Sequence, residues 1–376
     1  MNLNKIKTYL YRLTLLAIMT LPIVYVVQRY ASPRLVLQSN ASSGTTIKWM
    51  ERTPPPLRLK NMFYRLPYDL ATPMTIACHF VNMETSLPAA EDITPPPDSI
   101  FFLETSCRGG LTSRQACSVE SAARLHPNRD IYLFFNAPIS NFILQYSCLA
   151  NLIKFKNVKL ARIHTDLYAK GTAVDKMLAR RENARSDWPV QLTADILRFI
   201  ILYKYGGIYL DLDMLVVKPL DALGKNWAAM EDTEFINVAV MAIGQDEIGR
   251  SLTEDVLNDI EQNYDPKSWT NNGPDALHRG LLKLCNASDD YRVSPSTCSG
   301  FEIYQHELFY PVHFDDNGIY FSPGDLPKNI TDKAYGYHLW NKMSFHKKVK
   351  KNSPYDKLAT KYCPTTKNLF GKFFGT

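Results

Sequence analysis

Two carboxylates one residue apart, Asp211 and Asp213, close an otherwise apolar run, Ile208-Tyr209-Leu210-Asp211-Leu212-Asp213. Read as a strand, the run puts Ile208, Leu210, Leu212 and Met214 on one side and Tyr209, Asp211 and Asp213 on the other, because side chains alternate with period two. Holding two carboxylates side by side costs desolvation and mutual repulsion, so a cation is their natural partner. Hard oxygen ligands at this spacing suit Mn²⁺ or Mg²⁺, which would also bind a diphosphate and stabilise it as a leaving group. Taken alone, the same pair could simply end a strand in a solvated loop. A second polar pair, Asp195 and Arg198, is three residues apart and shares one helix face; by itself it could be a surface ion pair worth a few tenths of a kcal/mol, roughly.

The elements that must position these groups follow from the flanking sequence. Thr193-Ala194-Asp195-Ile196-Leu197-Arg198, continuing to Gly206-Gly207, reads as helix, sharp turn, strand. Thr193 is a candidate N-cap, Asp195 falls in the first turn where the dipole favours a carboxylate, and Gly206 is placed to close the helix in the left-handed conformation. Upstream, strands are expected over 100–103, 131–136 and 158–163, with a helix over 115–126. Such alternation argues an α/β fold with a mostly parallel central sheet, in which ligands bind beyond the carboxyl ends of the strands. The core is expected to start near residue 98, after the proline cluster Thr94-Pro95-Pro96-Pro97, with Met74–Val81 adding an edge strand.

The 376 residues, 45% hydrophobic and 12% aromatic, supply ample core for one large domain or two fused lobes. A net charge of +6 over the whole chain suits an anionic substrate or a membrane surface but is too dilute to argue for nucleic acid. Leu13–Val27 is uncharged and flanked by Lys5, Lys7, Arg12 and Arg29. Counted from Tyr9, it reaches about 19 residues or roughly 28 Å of helix, enough for a thin bilayer, with tyrosines at both edges. A cleaved signal peptide is the competing reading, and Gln28-Arg29-Tyr30 is a poor cleavage context. The flanking charges then leave the N-terminus cytosolic and the rest luminal. Sequons at Asn40, Asn286 and Asn329 and seven cysteines without a CxxC pair agree with an oxidising compartment. Sequence proximity pairs Cys107 with Cys117 and Cys285 with Cys298.

The stretch Tyr205-Gly206-Gly207-Ile208-Tyr209-Leu210-Asp211-Leu212-Asp213 resembles glycosyltransferase family 32. Further segments resemble its α1,4-glycosyltransferase branch: Ile100–Ser106, Cys117–Arg124, Gly273-Pro274, His338-Leu339-Trp340-Asn341-Lys342 and Tyr362–Thr366. The resemblance implies a GT-A-type nucleotide-diphospho-sugar transferase fold behind a single transmembrane helix, in a single-pass type II enzyme of the Golgi membrane. Its parts would be a cytosolic tail (1–8), a signal anchor (9–28), a luminal stem and linker (29–97), a nucleotide-sugar-binding half (98–235) and an acceptor-binding half (236–376). It implies retaining transfer of galactose or N-acetylgalactosamine from a UDP-sugar to a glycolipid acceptor with Mn²⁺ or Mg²⁺, no nucleic-acid partner, and a possible homo-oligomer. Carried over position by position, Asp211 and Asp213 hold the metal, with Asp211 also near the ribose. Tyr209, Asp195 and Arg198 contact the donor, Gly273 belongs to the donor site, and His338 or Asn341 completes the metal or diphosphate shell. His338 could equally be a hydrogen-bonded histidine beside Trp340.

Two positions depart from the branch. Where its galactosyltransferase has asparagine followed by glycine on the strand after the aspartate pair, this chain has Asn237-Val238, which puts a side chain where open space is expected. Around Gly273-Pro274 the residues are Trp269-Thr270-Asn271-Asn272-Gly273-Pro274-Asp275. Both departures lie where sugar contacts are expected. With retention, either a carboxylate nucleophile forms a glycosyl-enzyme or the acceptor attacks from the face the UDP leaves; Asn237, Asn272 and Asp275 are candidates for lining that face, though Asp275 could instead cap a helix opened by Gly273-Pro274. Two other readings are a haloacid-dehalogenase-like phosphohydrolase, whose first motif the strand also resembles, and a non-catalytic sugar-binding protein.

Overall fold

The computed structural model describes residues 76–80, 84–287 and 297–375. The expected anchor at 9–28, the stem sequence up to residue 75 and the sequon at Asn40 lie outside them. Among the described residues no helix is long and apolar enough to cross a membrane.

Strands form where short apolar runs rich in β-branched and aromatic residues can be buried on both faces. The main ones are β1 (Ile100–Glu104), β2 (Ile131–Phe135), β3 (Val158–Arg162), β4 (Gly207–Leu210), β6 (Trp227–Met230) and β7 (Ile236–Ile243), with β8 (Thr297–Cys298) and β9 (Phe301–Tyr304) at one edge. Their spatial order is β3-β2-β1-β4-β7-β6-β9-β8. The first four are mutually parallel. Antiparallel β7 then pairs with both β4 and β6, so the sheet is mixed beyond β4. A separate ribbon pairs β5 (Met214–Val216) with β10 (Gly336–His338).

The period-two alternation divides the core into two layers. Ile100, Phe102, Leu133, Phe135, Ile208 and Leu210 face one layer, which is covered by α1 (Ser113–Leu125) and the C-terminal helices α5 (Pro354–Tyr362) and α6 (Pro364–Phe370). Phe101, Leu103, Phe134 and Tyr209 face the other, covered by α2 (Pro189–Tyr205), α3 (Glu247–Asn263) and α4 (Pro274–Leu284).

Helix α2 begins four residues before the expected cap. Pro189 occupies its first position, where a missing N–H is harmless, so Thr193 lies inside the helix. Its hydroxyl donates to the Pro189 carbonyl (2.6 Å) and accepts from Asn183 (2.8 Å). Asp195 accordingly sits in the second turn. The helix stops at Gly206 with φ +67°, a conformation with extended ψ rather than the left-handed helical one expected. Gly207 follows at φ +99°, and a Cβ there would lie 2.4 Å from the Ser99 carbonyl oxygen. Only glycine lets β4 come alongside β1 at that point.

Residues before 98 also pack. Of the expected edge strand Met74–Val81 only residues 76–80 are described, and these hold no strand: Ala77–Phe80 is one 3₁₀ turn, while Ala89 makes a parallel bridge to Arg162 at the free edge of β3. Cys107 and Cys117 do not pair with each other as sequence proximity suggests. Cys78 pairs with Cys107 and Cys117 with Cys363, because Cys117 points from α1 into the layer where the C-terminal helices pack. Cys285 is disulfide-bonded, while the side chain of its expected partner, Cys298, lies outside the described residues; Cys148 is a buried free thiol. The sequons Asn286 and Asn329 are exposed.

The Cys117–Cys363 bridge spans 246 residues, a loop whose closure restricts the unfolded chain by about 5 kcal/mol. Glu120 of α1 assists it by accepting the backbone N–H groups of Thr365 (2.9 Å) and Thr366 (2.6 Å), the orphan donors at the start of α6. The Cys117→Ser/Cys363→Ser variant is expected to lose about 5 kcal/mol of unfolding free energy, measured by urea titration; unchanged stability would remove the bridge from this role.

Candidate functional site

The site forms where β4 ends. The chain turns at Asp211, whose N–H donates to the Ala239 carbonyl on β7 (2.8 Å) and whose carbonyl accepts from Met214 N–H (2.9 Å). This tight turn launches β5, and pairing of β5 with β10 sets His338 opposite Met214. A segment more than a hundred residues away in sequence thereby reaches Asp213. Leu339 N–H donates to the Asp213 carbonyl (3.0 Å), Asn341 N–H donates to Asp213 Oδ2 (2.8 Å), and His338 Nε2 lies 3.2 Å from Asp213 Oδ1. Trp340 turns this segment through a left-handed conformation (φ +54°) and anchors it by donating from Nε1 to the Val312 carbonyl (2.9 Å).

Asp211 is held from the other side. Its Oδ1 accepts from the Tyr209 hydroxyl (2.6 Å) and lies 3.2 Å from Arg198 Nη2. The same Nη2 is 3.0 Å from Asp195 Oδ1, Nη1 donates to the Val238 carbonyl (2.9 Å), and the guanidinium sits 4.7 Å from the Tyr209 ring centroid. Arg198 is thus clamped between two carboxylates, a carbonyl and an aromatic face. It cannot leave the site without abandoning several charge-assisted contacts.

The charges of the site are strongly coupled. Burial pushes the Asp195 carboxyl up to about 6 despite Arg198 beside it. Burial also raises Asp211, with repulsion from Asp213 adding to it and Arg198 opposing. For Asp213 burial is outweighed by His338 and by the Asn341 N–H, so its pKa falls below the usual carboxylate value; His338 correspondingly rises, burial being outweighed by Asp213. Asp211, Asp213 and His338 each offer a ligand atom, all within 4.8 Å of one another. Nδ1 of His338 is buried without a hydrogen-bond partner. Two carboxylates and an imidazole, crowded together with a polar atom unsatisfied, are a donor set that fits a divalent cation.

Asp195, Arg198, Tyr209, Asp211, Asp213 and His338 therefore converge, and the Asn341 backbone joins them. Gly273 abuts them too: a Cβ on it would come within 2.8 Å of the Asp195 carboxyl carbon, so its lack of a side chain lets the 264–273 loop close over Asp195. Asn237 stands one step behind the site. It accepts from Ala239 N–H (2.7 Å), the residue whose carbonyl holds Asp211, and donates to Glu231. Val238, the departure from the branch, sends its side chain into the second core layer. Asp275 is engaged in the first turn of α4, where it accepts the Thr270 hydroxyl (2.8 Å), and Asn272 ties the loop to Asp265 through both amide atoms (3.0 and 2.7 Å). Three participants had no local signal in the sequence. Tyr310 is a buried ring packed edge-on against His338 at 5.4 Å, Glu231 partners Asn237, and Arg114 on α1 donates to the Asn341 side chain (3.3 Å) across 227 residues. Beside Tyr310 opens a cavity of about 490 Å³ lined by Glu231, His306, Val312, His313 and Asp316.

Residues 112–230, which contain this aspartate pair, match the glycosyltransferase sugar-binding region containing DXD motif, and residues 245–370 match the alpha 1,4-glycosyltransferase conserved region. The lactosylceramide 4-alpha-galactosyltransferase of Mus musculus is 31% identical over 286 residues, covering 72% of this chain and 75% of that protein. That of Gorilla gorilla gorilla is 29% identical over 314 residues, covering 82% and 91%. The Homo sapiens alpha-1,4-N-acetylglucosaminyltransferase is 24% identical over 275 residues, covering 71% and 79%. The solved galactosyltransferase LgtC overlaps 56% of this chain and 74% of its own at 15% identity, with a TM-score of 0.34 too low to support any step. The chain belongs to the α1,4-glycosyltransferase family (family 32) related to lactosylceramide 4-alpha-galactosyltransferase. It is an α1,4-transferring glycosyltransferase, of a DXD family that implies a divalent metal and a nucleotide-sugar donor. The phosphohydrolase and non-catalytic readings fall away with that membership.

The buried Asp195 has a linkage consequence. Its folded-state pKa, about 6, lies above its unfolded value of 3.8, so between pH 4 and 6 the folded chain keeps a proton that the unfolded chain has lost. Stability from this group is therefore present at pH 4 and lost as pH rises through 6, by about 3 kcal/mol. Asp195→Asn, which cannot ionise, is expected to lack that part of the slope in denaturation curves across pH 4–7; parallel curves for variant and wild type would contradict the assignment.

Proposed function

We propose that the protein transfers galactose or N-acetylgalactosamine from a UDP-sugar, with retention and in α1,4-linkage, to a glycosphingolipid or related glycan, in a GT-A-type catalytic domain on the luminal side of the Golgi membrane. The observation that carries the reading is the convergence of Asp211, Asp213 and His338 within 4.8 Å at the carboxyl end of β4. In a predominantly parallel half-sheet, that end is where ligands bind. The relatives whose names specify galactose or N-acetylglucosamine transfer support the class and leave the sugar open.

In this reading Asp211, Asp213 and His338 hold Mn²⁺ or Mg²⁺. Bound there, the cation supplies Lewis-acid stabilisation of the departing diphosphate. The chain's own residues do the positioning. Tyr209 and Arg198 fix one oxygen of Asp211, while Asn341 N–H and His338 fix the two oxygens of Asp213, so both carboxylates are oriented before any ligand arrives. Arg198 also places a permanent positive charge beside the phosphates, and Asp195 restrains it. The cavity next to Tyr310 gives the acceptor room, with Glu231 and Asp316 able to accept sugar hydroxyls. We favour attack by the acceptor hydroxyl from the face the UDP leaves: the new C–O bond forms as the bond to the diphosphate breaks, and the hydroxyl proton passes to the departing phosphate oxygen. Asp275, committed to Thr270, and Asn237, committed to Glu231 and Ala239, are then supports rather than nucleophiles.

The test is transfer by the full chain in detergent with Mn²⁺, a panel of UDP-Gal, UDP-GalNAc and UDP-GlcNAc, and lactosyl- or mannosyl-glucosyl-ceramide. One donor is expected to be used, and Asp213→Ala is expected to lower turnover by a factor on the order of a thousand while its circular dichroism stays that of the wild type. Wild-type turnover by that variant, or undiminished turnover in excess EDTA, would refute the metal role; no transfer with any pairing would sink the substrate assignment.

A further inference from the structure

The net positive charge is not spread along the chain. Residues 341–376 carry nine lysines and a single acid, Asp356, a surplus of eight against +6 for all 376 residues. The densest part is Asn341-Lys342-Met343-Ser344-Phe345-His346-Lys347-Lys348-Val349-Lys350-Lys351, which has no acidic residue. Asp356 is already paired with Lys367 Nζ at 2.6 Å. Among the described residues Lys348, Lys350 and Lys351 form no ion pair, and all three are exposed.

The same segment exposes large apolar side chains. Met343 is 41% and Phe345 39% exposed, and Trp269, which Lys342 reaches, is 39% exposed. Lys342 bridges to that tryptophan, with its Nζ 5.8 Å from the Trp269 ring and 5.2 Å from that of Trp188, which packs edge-on against Trp269 at 5.0 Å. The backbone beneath is fixed. Arg114, buried in α1, donates to the Ser344 carbonyl (3.1 Å), the Ser344 hydroxyl (3.0 Å) and the Lys347 carbonyl, while Ser344 is fully buried. A rigid backbone therefore holds Met343 and Phe345 outward among lysines. Exposed apolar and aromatic groups followed closely by Lys348, Lys350 and Lys351 are the composition of an interfacial membrane contact, in which the apolar groups enter the head-group boundary and the lysines pair with lipid phosphates.

We propose that Met343–Lys351, with Trp269 at its margin, is a docking face for an anionic phospholipid bilayer. The face is continuous with Asn341, whose N–H holds Asp213, so docking sets the aspartate site within one helical turn of chain from the bilayer surface, where a lipid-linked sugar would be presented. Charge selects this occupant: a neutral membrane leaves the lysine cluster uncompensated.

The test needs no sugar chemistry, so it stands or falls apart from the transferase reading. The full chain carrying Met343→Cys is labelled with an environment-sensitive fluorophore, Cys148 being buried, and placed with vesicles of phosphatidylcholine alone or with phosphatidylserine added, each containing a head-group nitroxide quencher. A blue shift and quenching are expected only with phosphatidylserine, and Lys348→Glu/Lys350→Glu/Lys351→Glu is expected to abolish both while leaving the thermal midpoint unchanged. Equal signals in the two lipids, no signal in either, or a signal that survives charge reversal overturns the proposal. So does a response to a soluble heparin fragment that vesicles fail to reproduce, which would assign the face to a soluble polyanion.

Discussion

Everything in the site depends on keeping like charges together in a buried place. Asp195, Asp211 and Asp213 converge at the end of β4, and without compensation their repulsion and desolvation would drive them apart or force them to bind protons. The compensation is divided. Arg198 serves Asp195 and Asp211, and His338 with the Asn341 N–H serves Asp213. Burial raises both aspartates of the pair, yet their net shifts run in opposite directions, because His338 and the Asn341 N–H more than offset it at Asp213 while Arg198 does not at Asp211. A site arranged this way is still short of positive charge, which is the electrostatic reason a divalent cation and a diphosphate would enter together.

The fold exists in this form to bring the two sources of compensation from far apart. Arg198 comes from α2, whose apolar side packs into the second core layer and whose guanidinium lies over the Tyr209 ring. His338 comes from the opposite end of the chain and arrives only because β5 and β10 pair. Gly207 permits β4 to lie against β1, and Gly273 lets a loop close on Asp195. The Cys117–Cys363 bridge and Glu120 then tie the C-terminal helices to α1, whose Arg114 holds the segment that carries Asn341. Stability and site geometry thus share the same long-range contacts.

Much of this was legible in the sequence because it is local. The strands at 100, 131 and 158, the helix before the double glycine, and the alternation that puts Asp211 and Asp213 opposite the apolar positions all follow from periodicity. His338 and Asn341 were reachable only through family resemblance, since nothing in their own neighbourhood marks them. Thr193 was misread as a cap because a proline at the first helical position competes with a hydroxyl cap, and the helix gains more by starting earlier. Cys107 does not pair with Cys117 for a similar reason: packing of α1 against the C-terminus outweighs closeness in sequence. Tyr310 and Arg114 leave no local trace, since their partners His338 and Asn341 lie 28 and 227 residues away, and Glu231 reaches Asn237 only through the turn that joins β6 to β7.

The central claim is that Asp211, Asp213 and His338 form one cation site that works with UDP. Its most direct test is electron paramagnetic resonance of Mn²⁺ titrated into the full chain with UDP present. One ion per chain is expected to bind, with affinity at least about tenfold weaker, or 1.4 kcal/mol, in each of Asp211→Asn, Asp213→Asn and His338→Gln. Wild-type Mn²⁺ affinity in the two aspartate variants would contradict the account.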